Sequence, residues 1–129
     1  QDVLEIFSEK HHSDILLKWI KGKVRESSIE VINNFSRKLN VKVSKIKISN
    51  SFSYWGSCNS KNEISINWRL IFCPRYVLEY IIAHELSHLI EFNHSKNFWI
   101  LVDKLISNRA DAQKWLKQND NYMYRIRLN

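Results

Sequence analysis

The chain has two cysteines, two glycines, one proline and one methionine among its 129 residues. Two cysteines cannot build the disulfide framework of a small secreted domain, so a reducing compartment is expected and the chain reads as cytoplasmic. Gly22, Gly56 and Pro74 are the only strong backbone breakers, and no stretch reads as a linker, a repeat or a low-complexity segment. No apolar run approaches the ~20 residues that span a bilayer, and no signal-peptide pattern opens the chain. A membrane partner is therefore not expected. Positive charge is in excess, at +7, but it is spread: the first fifty residues hold ten Lys and Arg against six Asp and Glu, the remainder ten against seven. Thirteen of the twenty cations are lysine, a composition bias rather than a basic stripe, so nucleic acid stays an open partner without a localised footprint. What the chain does have is apolar mass. It is 44% hydrophobic, with five Trp, five Tyr and six Phe, enough for one core, and residues 1–129 read as a single domain.

The most informative stretch is His84 to His94, HELSHLIEFNH. On a helix, residues four apart sit one turn apart on the same face, so the imidazoles of His84 and His88 can reach one metal ion, with Glu85 between them as a candidate general base. The preceding run, Pro74 to Ala83, carries Val77, Leu78, Ile81 and Ile82 at helical spacing behind a proline suited to a first turn. The two histidines are thus expected in the second half of a helix. A catalytic zinc site takes three protein ligands and keeps one position open. His94 lies six residues beyond His88, about 9 Å further along an unbroken helix, too far for bonds of ~2.0 Å. The helix must stop and fold back. Asn93 suits a left-handed helix end, and Ser95 is a good cap for a second helix carrying Phe98, Leu101, Val102 and Leu105. Glu91 competes as third ligand because it keeps the helical face, but one straight helix converges three groups on an ion poorly, so His94 is preferred. The spacing equals that of the metzincin pattern, but Glu91 stands at its glycine, and Met123 is a poor Met-turn candidate.

Two longer runs, YWGSCNSKNEISINWRL from Tyr54 to Leu70 and HELSHLIEFNHSKNFW from His84 to Trp99, carry W-G-S-C, N-W-R-L, H-E-L-x-H and N-H-S-x-x-F-W in order. In these the chain resembles the YgjP-like metallopeptidase domain family, relatives of the SprT-like zinc peptidases, from about Leu16 to about Asn119. The resemblance implies Zn2+ held by His84, His88 and His94, with Glu85 as the catalytic base. It also implies a β-rich N-terminal portion of which this chain, beginning at Gln1, has almost none; the chain is expected to be a fragment. Because SprT-like relatives include proteases acting on DNA-bound proteins, it keeps a nucleic-acid partner in view.

The expected fold class is α+β and zincin-like: a long N-terminal helix, a small antiparallel sheet, the metal-binding HExxH helix and C-terminal helices. The long helix is expected from a cap at Asp14 to about Leu39, with Gly22 a weak point. Strands are expected around Val43 to Ile48, at Ser53 to Cys58 and at Glu63 to Asn67, the last two joined by a hairpin turn at Asn59 to Asn62. A short helix from about Asn108 to Lys117 and a strand-like tail from Asn121 follow. Ser53 to Cys58 is the candidate edge that pairs with an extended substrate, with Trp68 and Arg69 lining the same cleft. Arg69, Tyr122 and Tyr124 are candidates for stabilising an oxyanion. Cys58 is a candidate metal ligand or reactive thiol but reads first, like Cys73, as a small packed residue, and His11 and His12 read as solvated. The reaction expected is zinc-dependent hydrolysis of peptide bonds. Two rivals share the site: hydrolysis of a nucleotide phosphoanhydride, and a DNA- or partner-binding module that keeps the metal for structure. Glu85 argues against the second, since a structural site has no use for a base.

Overall fold

The first helix, α1, spans Lys10–Leu39 in a computed structural model that describes residues 10–119 and residue 121. Its buried positions are Ile20, Val24, Ser28, Val31, Ile32 and Phe35, spaced three and four apart so that they form one stripe against the core. Asn40 ends it in the left-handed region at φ 55. Its N–H bonds the Arg37 carbonyl and that of Val41 bonds the Ser36 carbonyl at 3.0 Å, the paired closure that satisfies the last carbonyls of a helix. Asp14 does not cap α1 as expected but lies inside it. No glycine or proline stands between Lys10 and Asp14, so the helix runs through a cap-type side chain. It also runs through Gly22, whose flanking anchors Ile20 and Val24 are buried, packing that outweighs the ~1 kcal/mol propensity cost.

Three strands follow: β1 Lys45–Ser49, β2 Gly56–Cys58 and β3 Glu63–Asn67. The hairpin forms as expected, with β2 and β3 antiparallel and Ser57 opposite Ser65. Its turn is built by Asn59, whose Oδ1 accepts from the Lys61 and Glu63 N–H groups, and by Asn62, at φ 60. The sheet is mixed rather than antiparallel, because β3 lies in the middle and β1 joins it in parallel, Ile46 beside Ile64 and Ile48 beside Ile66. Ile64 and Ile66 have no exposed surface; the strand with the most buried alternation takes the centre. The strand expected from Ser53 is three residues shorter, since the backbone from Asn50 to Trp55 is an irregular loop.

That loop is held by the N-W-R-L run. The Asn67 amide donates to the Ser51 and Tyr54 carbonyls, and Trp68 Nε1 donates to Asn50 Oδ1 at 2.7 Å. Arg69 donates to the Ser51 carbonyl, with its guanidinium over the Phe52 and Trp68 rings. Trp68 and Arg69 are 0% and 1% exposed. They fasten the loop and do not line the cleft, a correction to their expected place, and Arg69 is accordingly not at hand for an oxyanion.

A 3-10 turn, Trp68–Phe72, leads to α2, Arg75–His88, with Pro74 at its N-cap. α2 is the central element: it packs on α1, on β2, and on the two remaining helices, α3 Lys96–Leu105 and α4 Arg109–Gln118. Val77, Ile82, Ala83 and Leu86 are fully buried. Ser95 caps α3, its side chain accepting from the Phe98 N–H at 3.3 Å. No helix of the described residues is long and apolar enough to cross a membrane. The tail expected as a strand, with Tyr122 and Tyr124, lies beyond Asn121 and outside the described residues, as do the side chains of His11 and His12.

Candidate metal centre

His84 stands in the last stretch of α2 and His88 is its final residue, so the helix itself sets their separation. The chain then turns back between α2 and α3, and His94 returns to face them. One nitrogen from each of the three rings lies within 4.8 Å of the other two. Tetrahedral zinc–nitrogen bonds of ~2.0–2.1 Å place ligand nitrogens about 3.4 Å apart, so the donor set fits one such ion after small adjustments. Among the described residues this is the one cluster of three His, Cys, Asp or Glu side chains able to hold a metal. Neither Cys58 nor Glu91 belongs to it.

The ring orientations have identifiable causes. His88 Nδ1 lies 3.2 Å from the Glu91 carbonyl, which leaves Nε2 to face His94 Nε2 at 2.9 Å. A carbonyl can only accept, so this contact selects the tautomer with the proton on Nδ1 and the lone pair on Nε2. Glu91 thus contributes through its backbone. His84 Nδ1 lies 3.1 Å from Glu85 Oε2. Under all three rings is Phe98, fully buried, with centroids 5.1, 4.5 and 4.9 Å from those of His84, His88 and His94. His94, which is exposed, is stacked on Trp99 at 5.7 Å and 28°. Arg109 lies over the Trp99 ring, itself held by two 2.8 Å hydrogen bonds to Asp103. Partial desolvation of the ring, with the two neighbouring histidines, holds His94 below the usual imidazole range, which favours the neutral form. The expected left-handed Asn93 is absent: the positive-φ residues among those described are Asn40 and Asn62. The reversal is made instead by Leu89 and Ile90, whose N–H groups bond the Leu86 and Ser87 carbonyls in tightened turns.

Glu85 is 7% exposed and borders a cavity of about 770 Å³ that also reaches Gly56, Cys58 and His88. β2 forms the opposite side. A Cβ on Gly56 would come 2.6 Å from an Ile81 methyl and 3.3 Å from Glu85 Cγ, so the strand lies this close to α2 only because residue 56 has no side chain. The Cys58 thiol is pushed up to about 11, first by burial and then by the Glu85 carboxylate beside it. It is a protonated, packed neighbour, in line with its expected role.

β2 is an edge strand. Asn67 N–H bonds the Trp55 carbonyl and Asn59 N–H bonds that of Glu63, and ladder groups alternate along an antiparallel pair. Ser57 therefore turns its backbone inward to Ser65, while Gly56 and Cys58 turn theirs to the open side. The sequence pointed to this strand and to the histidines, but not to Phe92, 88% exposed on the turn between His88 and His94, nor to Leu89, both of which line the cavity. The available signal was apolar side chains between two candidate ligands where the helix has to end.

Two solved structures are similar to this arrangement. One is the metallopeptidase zymogen of Pyrococcus abyssi abylysin, 19% identical over 79% of this chain and 97% of that one, with a TM-score of 0.60. The other is the metallopeptidase zymogen of Methanocaldococcus jannaschii jannalysin, 22% identical over 74% of this chain and 96% of that one, also at 0.60. They establish the α+β, zincin-like fold expected from the sequence. No curated protein matches the chain. The model of the YgjP-like, metallopeptidase domain family matches residues 2–119, nearly the whole chain, and the chain belongs to that family, a hydrolase of the metallopeptidase class.

Proposed function

We propose that this single domain is a zinc-dependent peptidase in which His84, His88 and His94 hold the metal and Glu85 is the general base. The observation that carries the reading is the meeting of three imidazoles from one helix and one turn beside a buried carboxylate that borders an open cavity. Zinc bound there supplies a Lewis acid that acidifies water and polarises a carbonyl. The chain does the rest. Gly56 and Cys58 offer main-chain N–H and C=O groups to an extended peptide, an interaction that asks nothing of its side chains. Glu85, largely withdrawn from solvent, accepts a proton from the attacking water and returns it to the leaving amine. His94 is favoured over Glu91 as third ligand because its ring faces His88 at 2.9 Å while Glu91 engages His88 through its carbonyl.

The test combines metal content with turnover on an unfolded protein. Wild type should bind about one zinc, His94→Ala should lose it, and Glu91→Ala should keep it. Glu85→Gln should keep the zinc and lose about 10²–10⁴-fold in cleavage, since an amide cannot take the proton. Zinc retained by His94→Ala but lost by Glu91→Ala would overturn the ligand assignment. Glu85-dependent release of phosphate from nucleoside triphosphates without proteolysis would replace the peptidase reading by the nucleotide one. Stimulation of cleavage by single-stranded DNA would add a nucleic-acid partner.

A further inference from the structure

Phe92 is 88% exposed, the most exposed of the large apolar side chains described. A single apolar residue on a surface needs no explanation, but this one lines the cavity beside Glu85 and His88, together with Leu89 and with Tyr54, which is 46% exposed. The cavity has no lysine or arginine among its lining residues, and Glu85 is its one carboxylate. The two asparagines at its polar end are already engaged. Asn59 donates to Glu63 and accepts from two backbone N–H groups, and Asn62 donates to the Lys42 carbonyl. Beyond the open edge of β2 and the hydroxyls of Ser57 and Ser60, what the cavity offers a ligand is apolar and aromatic surface with no positively charged side chain among its lining residues.

We infer that Phe92, Leu89 and Tyr54 form a subsite that selects a large apolar side chain, aromatic or leucine-like, in the peptide paired with β2. The inference rests on the peptidase reading for its substrate. An extended peptide bonded to Gly56 and Cys58 sends alternate side chains to opposite faces, and those on the cavity side meet this surface. A Phe or Leu there leaves water, whereas an anionic side chain would lose hydration and meet the Glu85 carboxylate instead of a cation.

The test uses terminally blocked peptides identical except at one position, carrying Phe, Leu, Ser, Asp or Lys, read in two ways. Cleavage by the zinc-loaded chain should favour Phe and Leu over Ser by at least about tenfold in kcat/KM. Binding to the metal-free chain, followed by NMR shifts at Tyr54, Leu89 and residue 92, should show the same order without any turnover. Phe92→Ser should reduce the Phe-to-Ser ratio several-fold in both readings, and Phe92→Asp should move the preference toward Lys. Cleavage with no apolar preference, or a ratio unchanged in Phe92→Ser, overturns the subsite while leaving the peptidase intact. Apolar-selective binding that Phe92→Ser weakens, without cleavage by any zinc-loaded preparation, supports the subsite and removes the peptidase reading instead.

Discussion

His84 and His88 ride on α2, where Ala83, Glu85, Leu86 and Ser87 are all buried; His94 sits in a run, Phe92 to Asn97, that is exposed throughout. The first pair is placed by backbone hydrogen bonds and by a helix wedged between a sheet and three other helices. The third ring has no such frame and is placed by aromatic contact, with Phe98 beneath it and Trp99 alongside. One cluster of three imidazoles is thus built half by secondary structure and half by side-chain packing. The two halves should respond differently to mutation, since the ends of a packed helix resist displacement and a surface turn opens at little cost.

The largest expected effect strikes what the halves share. Phe98→Ala removes the ring beneath all three imidazoles and leaves a cavity in a fully buried position, so urea denaturation should report a loss of about 3–5 kcal/mol. Zinc content should fall with it. A variant that unfolds at the wild-type midpoint would show that the two halves do not lean on a common residue. Trp99→Ala acts on the turn alone: with His94 no longer stacked, zinc affinity measured against a chelating indicator should drop by about 10–100-fold, the range seen when a ligand loses its orienting partner. Equal affinity in the two proteins would mean that the turn positions His94 by its backbone after all.

Smaller again is Ser95→Ala, which deletes the hydrogen bond to the Phe98 N–H and should cost about 1 kcal/mol in the same denaturation experiment. Here the α2 half predicts the opposite behaviour. Its N-cap, Pro74, makes no side-chain hydrogen bond, so Pro74→Ala removes no such contact. The smallest effect is expected from Arg109→Ala, about 0.5–1 kcal/mol through its place over Trp99. A double-mutant cycle with Trp99→Ala isolates it. If the two substitutions are additive, Arg109 does not steady the indole and its pairing with Asp103 is a separate surface interaction.

Sequence and structure divide along the same line. Helical periodicity made α1 and α2 readable, and a four-residue interval on a helix has one geometric meaning, which is why the shared helix of His84, Glu85 and His88 could be placed from spacing alone. The hairpin was legible because Asn59 to Asn62 is turn chemistry between two alternating runs. By contrast, W-G-S-C and N-W-R-L carried the family resemblance without revealing their tasks. One glycine allows β2 to lie against Glu85, and Trp68 with Arg69 hold down a loop rather than line a cleft. Neither task follows a period.

By itself, then, the amino-acid order determined what local, repetitive interactions determine: the helices, the hairpin, the point where α2 had to end, and the two histidines that ride upon it. The parallel placing of β1, the burial of Arg69, the stacking of His94 on Trp99 and the exposure of Phe92 beside the cavity were decided only in the folded chain. Each depends on residues distant in sequence or on contacts made across elements. Alternation is the same for a strand at the edge or in the middle of a sheet, and an apolar side chain in a turn reads the same whether the fold covers it or leaves it facing a substrate.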